Sequence, residues 1–294
     1  MSIKSIYRTS EGEAEIIKLY DLQVARLGFP VEECTVSTRF GTTHLLVCGP
    51  KDGQALVCFQ GGNSTNPLTL ISFAALIKKY RIYAPDTPGH PGKSTPVRLS
   101  PRNDDYGLWV ADLLDALEFE RSILVGGSYG AGIILRSAAI IPERIEKVIL
   151  VNPSGIVSIP VSTMFFRLLI PLGLYYLSHS RAGLIRELRP MFAEDPIPED
   201  VIEMTQASFD HVNIEPAMPR NVTRAELARL TAPVLVITAE KDELFPAKAV
   251  VRRAKEVFPN LVAVETIAGS PHFISPDKRA FLCERMDRFI ELGT

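Results

Sequence analysis

Gly126-Gly127-Ser128-Tyr129-Gly130 spells G-x-S-x-G, and it sits between an apolar run, Ser122–Val125, and a helical pattern that begins at once. A serine on such a strand–turn–helix junction stands clear of the sheet, with glycines beside it where side chains would strike neighbouring backbone. The helix that follows aims its positive end, and the Tyr129 amide, at developing negative charge. The chemistry expected is nucleophilic attack on a carbonyl. A serine hydroxyl attacks poorly until a base takes its proton, so a histidine and an orienting carboxylate are required.

Of the five histidines, His272 alone follows a late predicted strand, in Gly269-Ser270-Pro271-His272-Phe273 just before the terminal helix. That is the strand edge where sites of open α/β sheets gather. His44 lies in an early strand and His90 in a tight turn, and both are read as structural. His179 and His211 fall in a later irregular region, where they could at most touch substrate. The carboxylate expected is Asp242, on the loop after Val234–Thr238, with Glu240 and Glu243 as neighbouring rivals. The chain order Ser128, Asp242, His272 is the one that accompanies G-x-S-x-G.

The elements that must position these residues follow from apolar periodicity. A helix is expected over Glu13–Leu27, then an antiparallel pair, Glu33–Arg39 and His44–Cys48, then a buried strand, Ala55–Phe59. Helices at Leu68–Lys79, Arg102–Glu118, Tyr129–Ile140, Ala247–Val257 and Asp277–Leu292 alternate with strands at Arg81–Ala84, Ser122–Val125, Ile145–Val151, Val234–Thr238 and Leu261–Ile267. Alternation with buried strands predicts an α/β fold, a mostly parallel eight-stranded sheet covered by helices on both faces. Residues 153–221 break the alternation. They are read as a helical cap inserted after strand six, leaving 1–152 and 222–294 as the core.

These features resemble the α/β-hydrolase superfamily over nearly the whole chain. In the family's register, Phe59-Gln60-Gly61-Gly62-Asn63 falls where a His-Gly oxyanion loop is usual, with Gln60 replacing the histidine. The resemblance implies an oxyanion hole from the Gly62 and Tyr129 amides, with Asn63 as a lesser candidate. Asp86–Ser94 is similar to the family's D-x-P-G-x-G-x-S turn, one residue longer. The family implies no metal and no organic cofactor. Aspartate-nucleophile relatives, the haloalkane dehalogenases and epoxide hydrolases, are disfavoured by Ser128.

The insertion carries an apolar run, Ile156–Leu177, from which Phe165, Phe166 and Leu169 are expected to line a hydrophobic pocket together with Asn63 and Phe273. Pro160, Arg167 and Pro171 interrupt that run and argue against a membrane span. Cap acids (Glu187, Glu194, Asp195, Glu199, Asp200, Glu203, Asp210, Glu215) and the Gly-Gly-Ser-aromatic-Gly elbow also resemble prolyl aminopeptidases, which implies recognition of a substrate amine. The function expected is hydrolysis of a carboxylic ester with a small or medium hydrophobic group. Amide, thioester or carbon–carbon hydrolysis, lyase chemistry, and a ligand receptor built on the same fold stay open as alternatives.

Composition removes other classes. The 294 residues carry 32 Lys and Arg against 34 Asp and Glu, 46% hydrophobic and 22% charged, so the chain is globular with no basic excess for nucleic acid. No polybasic run would grip an anionic membrane. Cys34, Cys48, Cys58 and Cys283 lack CxxC spacing and read as small buried hydrophobes. The opening MSIKSIYRTSEGEAEIIKLY has no apolar signal core, which predicts a reducing cytoplasmic setting. Gly92-Lys93-Ser94 lacks a P-loop's first glycine, since residue 87 is Thr87; Gly127–Gly132 has the wrong order for a dinucleotide loop. The partner expected is a small hydrophobic substrate, with pairing into a homodimer left open.

Overall fold

The computed structural model describes residues 5–292, so the leader reading for Met1–Lys4 lies outside the described residues. Helix α1 (Ser10–Ala25) opens on a Thr9 cap, whose hydroxyl accepts from the Gly12 amide at 3.0 Å. Strands β1 (Val31–Thr38) and β2 (Gly41–Cys48) form a hairpin. Next come β3 (Ala55–Phe59), α2 (Asn66–Ser72), β4 (Arg81–Pro85), α3 (Asp105–Ala116), β5 (Ser122–Gly127), α4 (Tyr129–Ile140) and β6 (Ile145–Val151). After a π-helical turn, Thr163–Leu169, the chain forms α5 (Ile170–Ser178), α6 (Arg181–Phe192) and α7 (Glu199–His211). It closes with β7 (Val234–Ala239), α8 (Ala247–Val257), β8 (Leu261–Ile267) and α9 (Arg279–Glu291).

The eight strands make one sheet in the order β1-β2-β4-β3-β5-β6-β7-β8, parallel from β4 to β8. The chain leaves β3 toward one edge to form β4, then crosses back to form β5 on β3's other side. The loops after β3 and β5 therefore diverge and open a crevice at the strands' carboxyl ends. Register sets the two loops side by side, with Phe59 opposite Gly126.

Strand pleating divides the core. Val57, Phe59, Leu124 and Val236 pack against α3, α4 and α8, whereas Leu56, Cys58, Val125 and Ile237 face α1, α2 and α9. A third cluster, including Tyr175, Leu184, Leu188, Phe192 and Ile202, joins α5, α6 and α7. β1 is the exposed edge, so Cys34 is exposed, against expectation, while the other three cysteines are buried. A second correction concerns Leu68–Lys79. The helix starts earlier, at Asn66, and stops at Ser72; Leu76–Lys78 then forms a separate 3₁₀ turn, since Phe73, Leu76 and Ile77 all bury by bending the chain.

Across Ile156–Leu177 helical structure begins only at residue 161, just ahead of the π turn, with Pro171 in the first turn of α5. Among the described residues no helix is long and apolar enough to cross a membrane. After α7 the chain runs without regular structure to residue 222 and is tied down by an antiparallel bridge between Tyr7 and Val212.

Candidate active site

Ser128 occupies the turn between β5 and α4 with φ 51° and ψ −118°, a conformation that L-residues avoid. Its neighbours over-determine it. The Ser128 amide donates to the Val151 carbonyl at 2.9 Å, and the Ser128 carbonyl accepts from the Ala131 and Ser154 amides, both at 3.1 Å, and from Ser154 Oγ at 3.0 Å. A Cβ at Gly126 would come within 2.6 Å of the Gly130 carbonyl carbon, and one at Gly130 within 2.3 Å of the Phe59 oxygen. The glycines are thus required by close backbone approach. Tyr129 begins α4, so its amide belongs to the first turn, which has no intrahelical acceptor.

His272 and Asp242 come together at the same edge. Nδ1 of His272 lies 2.8 Å from Asp242 Oδ2, and both residues are buried. Asp242 Oδ1 accepts from the Leu244 and Phe245 amides at 2.8 and 3.0 Å, so the loop after β7 supplies its own anchors. A carboxylate can only accept, which leaves the Nδ1 proton on the ring and Nε2 as its free acceptor. Asn152, just past β6 with φ 46°, donates from Nδ2 to the His272 carbonyl at 2.6 Å and fixes the histidine loop. The rivals have other partners: Glu240 accepts from the Gly269 amide at 2.7 Å, and Glu243 pairs with Arg167 at 2.9 Å. Ser128 and His272 share one cavity of about 300 Å³, without a hydrogen bond between their side chains.

The loop after β3 lies beside the Ser128 turn. The Asn63 amide is taken by Nδ1 of buried His90 at 3.0 Å, whereas the Gly62 amide has no acceptor among the described residues. Gly62 lies on the Tyr129 ring, where a Cβ would meet Cδ2 at 2.9 Å. Burial, with Arg98 nearby, pushes the His90 pKa down to about 3, so its ring stays neutral and keeps Nδ1 as an acceptor. Gln60 is a brace: its Nε2 donates to the Ser64 carbonyl at 2.7 Å, and its Oε1 accepts from the Thr87 amide at 3.4 Å. The glutamine thus ties the loop after β3 to itself and to the turn after β4.

Residues 59–285 match the model of a family described as "Alpha/beta hydrolase family". The chain belongs to the alpha/beta hydrolase family. It is 26% identical over 263 residues to a carboxylesterase, nap, of Bacillus subtilis, covering 88% of this chain and 86% of that protein. It is 25% identical over 283 residues to the carboxylesterase YbfK of the same organism, covering 95% of each. The crystal structure of naproxen esterase from Bacillus subtilis superposes with a TM-score of 0.83 at 24% identity, covering 97% of this chain and 100% of that one.

In this hydrolase the cavity walls depart from expectation. Phe273 lines the cavity and stacks on Phe192 with centroids 4.7 Å apart. Asn63 also lines it, but its side-chain amide is spent on the Glu215 backbone, donating to the carbonyl at 2.9 Å and accepting from the amide at 2.7 Å. Phe165, Phe166 and Leu169 are 51%, 64% and 51% exposed and lie outside the lining; Leu168 and Leu172 face inward instead. That stretch is apolar on every side, so no stripe marks its inward face. Met191, Leu244 and Phe245 complete the wall, and nothing in the local pattern distinguished them. Asn152 could have been found as the polar residue ending β6 at the sheet's carboxyl edge. Among the other histidines, His44 pairs with Asp86 and Glu33, exposed His179 with Asp210, and His211 packs on Gly12.

Proposed function

We propose that this hydrolase cleaves carboxylic esters carrying a hydrophobic group, with Ser128 as nucleophile, His272 as base and acid, Asp242 as the histidine's anchor, and the Gly62 and Tyr129 amides as the oxyanion hole. The observation that carries this reading is the buried His272–Asp242 pair on a cavity that Ser128, on its strained turn, also lines. Similarity to carboxylesterases across most of the chain favours esters among the bonds this arrangement can attack. Residues 153–221 serve as the cap, since α6 and α7 contribute Leu188, Met191, Val201 and Met204 to the cavity wall.

Ser128 Oγ attacks the carbonyl carbon as His272 Nε2 takes its proton, and the resulting oxyanion accepts from the two amides. Asp242 holds the Nδ1 proton and stabilises the imidazolium. The C–O bond then breaks and the leaving alcohol takes the Nε2 proton, which leaves an acyl-serine. Water attacks that ester with Nε2 as base; collapse frees the acid and returns the proton to Ser128. The missing Ser128–His272 hydrogen bond forms when substrate enters, as such contacts tighten on binding. The expected outcome is that a fluorophosphonate labels the wild-type protein and not Ser128→Ala, and that nitrophenyl-ester turnover falls by about 10³-fold or more in that variant. Full turnover by Ser128→Ala would discard the reading.

A further inference from the structure

The cavity has two halves of different character. Around Ser128 the groups left free, such as the Gly62 amide, belong to the site already described. In the half built by α6 and α7, two buried side-chain groups without a partner fall outside it. Glu187 on α6 is 6% exposed, lines the cavity, forms no ion pair among the described residues, and leaves Oε2 without a partner. Ser208 on α7 is 1% exposed, lines the same cavity, and leaves Oγ without a partner. A helical serine ordinarily turns its hydroxyl onto the carbonyl four residues back. Ser137 does so to Ile133, and Ser178 to Leu174, each at 2.9 Å. Ser208 does not. Thr205, one turn earlier on α7, lines the cavity beside it.

We infer that Glu187 and Ser208 form a polar subsite in the cap, which receives an uncharged hydroxyl carried on the hydrophobic part of the substrate. Buried polar groups without partners are costly unless a ligand completes them. Two unpaired groups on helices that pack together, both lining one cavity and not bonded to each other, leave hydrogen-bonding capacity for a group carried by a ligand. A hydroxyl supplies both needs, donating to one oxygen and accepting from the other. The surroundings select a neutral partner over an ammonium. Burial among apolar side chains raises the Glu187 carboxyl to about 8, against the pull of the Leu172 amide, so at neutral pH it offers a proton and a lone pair with no net charge.

The substrate class named here rests on the esterase reading; the existence of the subsite does not. The test walks a hydroxyl along the acyl chain of nitrophenyl esters and compares each with its hydrocarbon and amino counterparts by kcat/KM. At one chain position the wild-type protein is expected to prefer the hydroxy ester. That preference falls about tenfold in Glu187→Leu, a few-fold in Ser208→Ala, and survives in large part in Glu187→Gln, which keeps a donor and an acceptor. Retention of the preference in Glu187→Leu overturns the subsite, as does preference for the amino ester or for no polar group at any position. Calorimetry of alkanols against alkanediols on Ser128→Ala separates the two readings because it needs no turnover. Diols that bind more tightly, and lose the advantage when Glu187→Leu is added, uphold the subsite even if no ester is cleaved. Equal binding of the two series rejects it even if esters are cleaved well.

Discussion

Among the described residues two buried histidine–aspartate pairs share nearly the same geometry. Nδ1 of His272 meets Asp242 at 2.8 Å, and Nδ1 of His44 meets Asp86 at 2.9 Å. The second nitrogen separates them. In His44 it is capped by Glu33 at 2.8 Å, so the ring is gripped at both ends by carboxylates. In His272 it has no partner among the described residues, and the residue lines the cavity that Ser128 also lines. Asp86 is saturated as well, accepting from Tyr20 Oη, Asn66 Nδ2 and the Lys93 amide besides His44. One pair is a staple that holds β2 to the turn after β4. The other is the pair we propose as the relay. A histidine beside an aspartate is thus not yet a base; the proposal rests on the second nitrogen being left free on a cavity that a serine also lines.

The largest effect expected from breaking this comparison belongs to Asp242→Asn. The amide can present its NH₂ to Nδ1, which forces the ring proton onto Nε2 and leaves Ser128 without an acceptor. We expect kcat on a nitrophenyl ester to fall by about 10³–10⁴-fold, with melting temperature changed far less. A change below tenfold would remove Asp242 from the mechanism. The matching substitution at the staple, Asp86→Asn, should do the reverse. Loss of one partner from a fully buried pair costs about 3–5 kcal/mol, read as a drop in the denaturation midpoint, while turnover per folded molecule stays within about tenfold. Equal damage to turnover by both substitutions would erase the distinction drawn here.

The same contrast between local and tertiary information explains what could be read from the sequence. Ser128 announces itself because the strand, the turn and the helix are contiguous, and Gly126 answers to backbone four residues away. The sheet was legible for the same reason, strand by strand, including the hairpin at its edge. Glu240, Asp242 and Glu243 could not be separated in that way, since their partners, Gly269, His272 and Arg167, come from distant segments. The cap was least legible. Its inward residues, Leu168 and Leu172, share the composition of its outward ones, Phe165, Phe166 and Leu169, and only packing onto the core tells them apart. The part Gln60 plays in place of the family's usual histidine was hidden because the sequence does not display its bonds to Ser64 and Thr87.

The smallest effect concerns protons. Burial works against the charged form of His44, but hydrogen bonds and charge from Asp86, with further help from Glu33, outweigh it and raise its pKa above the ordinary histidine value. A histidine that binds its proton more tightly when folded stabilises the fold fully below its unfolded pKa, about 6.5, and loses that contribution as pH rises through the higher folded value. His44→Gln keeps a donor toward Asp86 but cannot carry the charge. Its stability deficit relative to the wild-type protein should be greatest near pH 5.5 and should shrink steadily on the alkaline side, read as the difference in denaturation midpoint at each pH. A deficit that stays constant from pH 5.5 to 9 would mean that the ring holds no extra proton when folded, and that the staple works through neutral hydrogen bonds alone.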